Sequence, residues 1–195
     1  MRLFVALDID DDIRGRITRF LDEVRELAPQ ARWVRPESMH VTLKFIGEKS
    51  EAVAERITLV LQNIDASALE MNFRGYGFFP EVRAPRVFWV GIEGDSTLTS
   101  LAGAIDEGLW SVKVPKEEYA FSPHITLARA GRGSGSPGWR KGDGPNRSFQ
   151  RLQEKLAAES APDFGTMTAH EFFLYRSQPS AGGSKYAKLA RFELR

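Results

Sequence analysis

The stretch SMHVTLKFIGE, residues 38–48, sets one of the chain's three histidines inside a run with strand character. Side chains alternate across a strand, so His40 and Thr42 leave one face while Val41 and Leu43 leave the other. A second copy, FSPHITLARA at residues 121–130, repeats His-x-Thr-Leu from His124 to Leu127. An ungapped shift of 84 residues lays His40 on His124, and with it Arg2 on Arg86, Phe4 on Phe88, Asp22 on Asp106, Ser38 on Ser122 and Thr42 on Thr126. The order strand, helix, extended His segment repeats too, and a rare residue falling in register argues against chance. The simplest reading is a duplicated unit, two related lobes facing each other.

The rest of the chain fits around these copies. RLFVALD (2–8) reads as a buried strand, and DDIRGRITRFLDEVREL (11–27) as an amphipathic helix with Ile13, Ile17, Phe20, Leu21 and Val24 on one stripe behind an acidic first turn. Further helices are expected over 51–63, 96–112 and 147–160. The segment 71–94 reads as strand, Pro-rich loop, strand, and two terminal strands are expected over 169–177 and 186–194. Gly47 reads as the end of the first motif strand. GRGSGSPGWRKGDGPN, residues 131–146, is too rich in Gly, Ser and Pro to lie inside an element and reads as a flexible surface loop.

Composition narrows the function classes. With Lys+Arg 27 against Asp+Glu 26 the formal charge is +1, so affinity for a polyanion has to come from local clustering. Cysteine is absent, which removes disulfides, thiolate nucleophiles and sulfur-based zinc sites. The start, MRLFVALDIDDD, has a short apolar run followed by acids, unlike a signal peptide or a membrane span. A soluble protein of the reducing cytoplasm, with no membrane association, is the expectation.

If the lobes face each other, two imidazoles and two hydroxyls converge on one cleft. Imidazoles change charge near neutral pH and suit acid and base work. The hydroxyls of Thr42 and Thr126 can donate to phosphate oxygens, and Arg129 can neutralise the phosphate. The combination suggests in-line attack on phosphorus, one His taking a proton from water and the other giving one to the departing sugar oxygen. Neither motif carries a second His or a carboxylate at ligand spacing, so no metal site is expected. A single His-x-Thr in a strand is ordinarily structural; the in-register pair is what lifts the chemical reading. His170, with no Thr two residues on, reads as structural or exposed.

The chain resembles the 2H phosphoesterases, and within them the bacterial and archaeal RNA 2',3'-cyclic phosphodiesterases once described as 2'-5' RNA ligases. The likeness is carried by RLFVALDID, RWVRPESMHVTLKFIGE, GFFPEVRAPRVFWVGI, FSPHITLARA and the FFLYRSQPS and YAKLARFEL ending. It implies an α+β, bilobal, pseudo-two-fold fold in which two antiparallel sheets face a central cleft with helices outside, residues 1–195 forming one domain. It also implies hydrolysis of RNA 2',3'-cyclic phosphate ends to 2'-phosphomonoesters. His40 would then be the proton donor to the 3' oxygen and His124 the proton acceptor that activates water, with Thr42, Thr126 and Arg129 binding the phosphate. The role of each histidine comes from the resemblance, because spacing alone leaves the pair symmetric. The same site run backwards gives weak 2'-5' RNA ligation. The implied partner is RNA with a 2',3'-cyclic phosphate end, the implied state a monomer without cofactor.

Two other readings keep the site: a phosphodiesterase on small cyclic nucleotides or 2',5'-oligonucleotides, and a non-catalytic module that binds RNA ends. The intact motifs argue against the last. In the 131–146 loop, Arg132, Arg140 and Lys141, with Arg147 just beyond, are candidates to guide an RNA backbone, against the plainer reading of a solvated insertion. Trp33, Phe79 and Phe121 are candidates to stack a base, against a plain core role.

Overall fold

The apolar run at the start, β1 (Arg2–Asp8), is a central strand buried on both faces, with Leu3, Val5 and Leu7 toward the main core and Phe4 and Ala6 toward the opposite side. The computed structural model describes residues 1–94, 96–131, 147–180 and 183–195. After β1, the Asp10 side chain accepts from the Ile13 N–H at 2.9 Å and caps α1 (Asp11–Val24), whose buried residues are Ile13, Ile17, Leu21 and Val24. A short β2 (Arg32–Trp33) and a 3-10 turn at Pro36–Ser38 lead into β3 (His40–Glu48). Ser50 caps α2 (Glu51–Gln62), followed by β4 (Leu69–Phe79), β5 (Val87–Gly94) and α3 (Ser96–Trp110). The chain finishes with β6 (His124–Arg129), α4 (Gln150–Ala157), β7 (Asp163–Ala169), β8 (Glu171–Ser180) and β9 (Gly183–Glu193).

These elements form two antiparallel sheets with helices around them, ordered β3-β1-β8-β9 and β2-β6-β5-β4-β7. The 84-residue shift maps β1 onto β5, α1 onto α3 and β3 onto β6, and in each sheet the two mapped strands are antiparallel neighbours. The duplication legible in the sequence is thus also a duplication of topology.

The helices tie the halves together. From α1, Arg16 donates to the Phe164 carbonyl of β7 in the second sheet at 3.3 Å, and Phe20 packs edge-on against the Phe164 ring. From α3, Asp106 reaches Lys44 of β3 in the first sheet at 2.5 Å. One apolar cluster takes in residues of both sheets, from Leu3 and Val41 to Phe88 and Leu127.

The differences from the sequence reading are local. β7 has no counterpart among the strands expected from the sequence: DFGTMTA is a polar-alternating edge strand, and Gly165 has φ +96° where Arg16 crosses it. α4 is shorter at both ends than 147–160. β3 continues through Gly47, whose φ of +81° marks a register shift, to Glu48. The 131–146 loop, apart from Gly131, lies outside the described residues. Among the described residues, no helix is long and apolar enough to cross a membrane.

Candidate active site

Both motif strands carry a bulge at the same residue. In the first sheet Val5 pairs with Lys44 and Ala6 with Thr42, leaving Leu43 unpaired; in the second Phe88 pairs with Ala128 and Trp89 with Thr126, leaving Leu127 unpaired. The extra residue reverses the alternation beyond it. Leu43 and Lys44 are therefore both buried, as are Leu127 and Ala128, and the next residues, Phe45 and Arg129, return to the side of the histidines. Strict alternation from His124 would have sent Arg129 to the opposite face. The bulge explains why it instead shares a face with His124 and Thr126.

The inward turn after the bulge is occupied differently in the two copies. Ala128 simply fills space, whereas Lys44 is 2% exposed and needs partners: Asp106 at 2.5 Å, the Pro115 carbonyl at 2.7 Å and Glu117 at 3.3 Å. This buried pair braces β3 against the helix of the other half.

The two imidazoles are held alike. His40 Nδ1 lies 2.8 Å from the Ser38 carbonyl oxygen and His124 Nδ1 2.7 Å from that of Ser122. A carbonyl only accepts, so Nδ1 carries the proton in both rings and Nε2 is left to a ligand. Burial pulls His40 down to about 4 and lowers His124 as well, while the carbonyl bonds work in the other direction. The Arg129 charge acts on both rings, and His40 also feels His124, so the three groups share one cleft. β3 and β6 are in contact across it. Among the described residues neither Thr42 nor Thr126 has a side-chain hydrogen-bond partner, and both sit half-buried on the histidine face.

Arg129 is itself held below the usual guanidinium range by burial, with Arg32, its cross-strand neighbour on β2, adding like-charge repulsion. The Tyr186 phenol, from β9 of the first sheet, opposes that shift and so stands close to Arg129 of the second. Two desolvated imidazoles, two hydroxyls and a guanidinium crowded by a second cation make a site that an anion would relax.

The surroundings of the histidines differ. His40 is enclosed by Phe4 (ring centroids 4.9 Å apart), Tyr186 (5.2 Å, edge-on) and Tyr175 (6.3 Å). A recess of about 330 Å³ opens beside it, reaching Asp8, Glu37 and Lys188. His124 is enclosed by Phe79 (5.2 Å, edge-on) and Trp89 (6.1 Å). The Trp89 ring lies over Gly77, where a Cβ would come within 2.0 Å of it, and its indole N–H is buried without a partner among the described residues. Of the three aromatics singled out in the sequence, Phe79 is the one against a motif histidine. Trp33 donates to the Ala28 carbonyl at 3.2 Å and packs on Phe88, and Phe121 packs on the core. His170 is exposed between β7 and β8. Asp8, Tyr175, Tyr186, Lys188 and Trp89 were not legible as site residues, because the strands that bring them there are far apart in sequence. Among the described residues no cluster of three or more His, Asp or Glu is placed to hold a metal ion.

Comparison with known proteins places this arrangement. A family model described as LigT like Phosphoesterase matches residues 7–89. An RNA 2',3'-cyclic phosphodiesterase of Archaeoglobus fulgidus is 32% identical over 99% of this chain and 100% of its own length. One from Methanothermobacter thermautotrophicus is 30% identical over 100% of this chain and 99% of its own. The crystal structure of E. coli LigT complexed with 3'-AMP superimposes with a TM-score of 0.77 at 24% identity, covering 99% of this chain and 97% of that one.

Proposed function

The chain belongs to the LigT-like phosphoesterase family, within the 2H superfamily, and from that premise we propose that it is an RNA 2',3'-cyclic phosphodiesterase that opens cyclic phosphate ends to 2'-phosphomonoesters. The observation that carries the reading is the matched pair of imidazoles, each with Nδ1 tied to a carbonyl and Nε2 without a partner among the described residues, both under the influence of Arg129.

The cyclic phosphate sits against Arg129 with its non-bridging oxygens on the Thr42 and Thr126 hydroxyls. His124 Nε2 takes a proton from water as the oxygen attacks phosphorus. The bond to the 3' oxygen breaks in line, and His40 Nε2 gives that oxygen its proton. One water is consumed, the product keeps its 2'-phosphate, and the histidines end with their charges exchanged. Charge is met by Arg129 and the imidazolium, so no metal takes part. Reversal, with a 5'-hydroxyl in place of water, gives weak 2'-5' ligation. The full chain acts as one unit, as a cytoplasmic monomer.

The test is an oligoribonucleotide ending in a 2',3'-cyclic phosphate. The expected product is the 2'-phosphate, formed equally well with EDTA present, and His40→Ala and His124→Ala each lower turnover by about 10³-fold or more without unfolding the protein. A 3'-phosphate product, loss of activity on chelation, or full activity in either variant overturns the mechanism. Faster turnover of small cyclic nucleotides or 2',5'-oligonucleotides moves the substrate, and binding without turnover makes the protein a module for RNA ends.

A further inference from the structure

Duplication made the two histidines alike in their own segments and unlike in what stands across the strand from each. Cross-strand pairing sets Asp8 opposite His40 and Gly91 opposite His124. Packing enforces the difference, because a Cβ at Gly91 would come within 2.8 Å of the Arg74 carbonyl oxygen. No side chain fits at position 91, across from His124, without moving backbone. Asp8, by contrast, is held at both oxygens. The Tyr175 hydroxyl donates to Oδ1, and the Lys188 ammonium is 2.6 Å from Oδ2. Lys188 is also drawn over the Phe173 ring, 3.8 Å from its centroid. Burial and the adjacent carboxylate push the Tyr175 phenol upward, so it remains a donor.

We propose that Asp8 sets the polarity of the histidine pair: its fixed carboxylate favours the imidazolium of His40, which makes His40 the ring that delivers a proton to the leaving oxygen. The proposal rests on the cyclic-phosphate reading given above. Asp8 touches no reacting atom; it is a positioning residue for charge.

The charged and titratable groups facing His40 are Asp8 from β1, Tyr175 from β8, Tyr186 and Lys188 from β9, and Arg129 and His124 from β6. Farther along the recess stand Glu37 and Arg14, the latter committed to the Pro36 and Ile9 carbonyls at 2.6 and 2.9 Å. Burial, Arg129 and His124 all disfavour a charged His40, and Asp8 with the Ser38 carbonyl opposes them. For His124, burial and Arg129 disfavour the charge and, among the described residues, the Ser122 carbonyl opposes them. A bound phosphate anion offsets Arg129 for both rings alike. Among the described residues Asp8 then remains as the charge present on one side and absent on the other, and a proton donor has to hold its proton before the bond breaks.

The test pairs two substitutions of opposite sign, read by the pH profile of kcat on a cyclic-phosphate-ended oligonucleotide and by NMR titration of both histidines in the free protein. Asp8→Asn keeps the shape and removes the charge. The alkaline limb moves to lower pH, with kcat on that limb about tenfold lower for a shift of about one unit, while the acid limb stays. Lys188→Met removes the cation that shares the carboxylate, and the alkaline limb moves to higher pH. The His40 midpoint follows in each case and that of His124 does not. A uniform loss at every pH with an unmoved His40 midpoint, or both variants shifting the same way, overturns the proposal. If Asp8→Asn does not fold, the sign of the Lys188→Met shift decides. If cyclic phosphate ends are not turned over at all, the functional reading fails, and the NMR midpoints still judge Asp8.

Discussion

The two halves of the cleft share a His-x-Thr motif, a carbonyl at each Nδ1 and a bulge, and differ in the side chains that surround each imidazole. Around His40 stand a carboxylate, two tyrosines and an open recess; around His124 stand Phe79, Trp89 and a glycine that excludes any side chain. The comparison teaches that duplication supplies a symmetric pair, and that the difference between its members comes from neighbours on other strands. Positions related by the 84-residue shift then serve as internal controls for one another.

The largest contrast is between Arg129 and its counterpart Phe45, which is 63% exposed. Arg129→Ala should lower kcat/KM by about 10²–10³-fold, since it removes the charge proposed to meet the phosphate, while Phe45→Ala should stay within about threefold. Steady-state kinetics on the same oligonucleotide check both.

Next is the pair Asp106 and Asp22. Asp106→Ala leaves the buried Lys44 with the Pro115 carbonyl and the more distant, exposed Glu117, and should cost about 3 kcal/mol in urea unfolding, whereas Asp22→Ala removes only an exposed pair with Arg25 and should cost less than about 0.5 kcal/mol. Equal costs would mean that Lys44 is not the brace between the halves.

A smaller effect follows from the desolvated histidines. His40, near 4 when folded against about 6.5 when unfolded, takes up its proton later than the unfolded chain as pH falls. Stability is therefore lost as pH drops from about 6.5 toward 4, by about 1–2 kcal/mol at pH 5. His40→Asn should narrow the difference in melting temperature between pH 7 and pH 5, and His124→Asn should move it in the same direction.

The smallest expected change is on the His124 side. Gly77→Ala forces the Trp89 ring away and, through Phe79 and Trp89, disturbs His124, so kcat should fall by about threefold to tenfold with little change in KM. A fall confined to KM would show that the aromatic pair contacts substrate rather than the histidine.

The duplicated motif, the order of elements and both histidines could be read directly, because a period of two in strands and an in-register rare residue are local signals. β7 could not, since DFGTMTA lacks an apolar face strong enough to announce an edge strand. Arg129 stands out in the sequence by its charge, but its place on the cleft face depends on the bulge at Leu127, which no residue pattern marks. Asp8 looked like the end of a strand, and Tyr186 and Lys188 like parts of a terminal strand.

From the sequence alone came the candidate reacting groups and their two-fold arrangement, because chemistry is fixed by residue type and facing by alternation. The tertiary structure decided which strands lie side by side. It set Asp8, Tyr175 and Lys188 around one imidazole and a glycine across from the other. Cross-strand neighbours belong to pairings between distant segments, so the charge that separates the two histidines exists only once the sheets have formed.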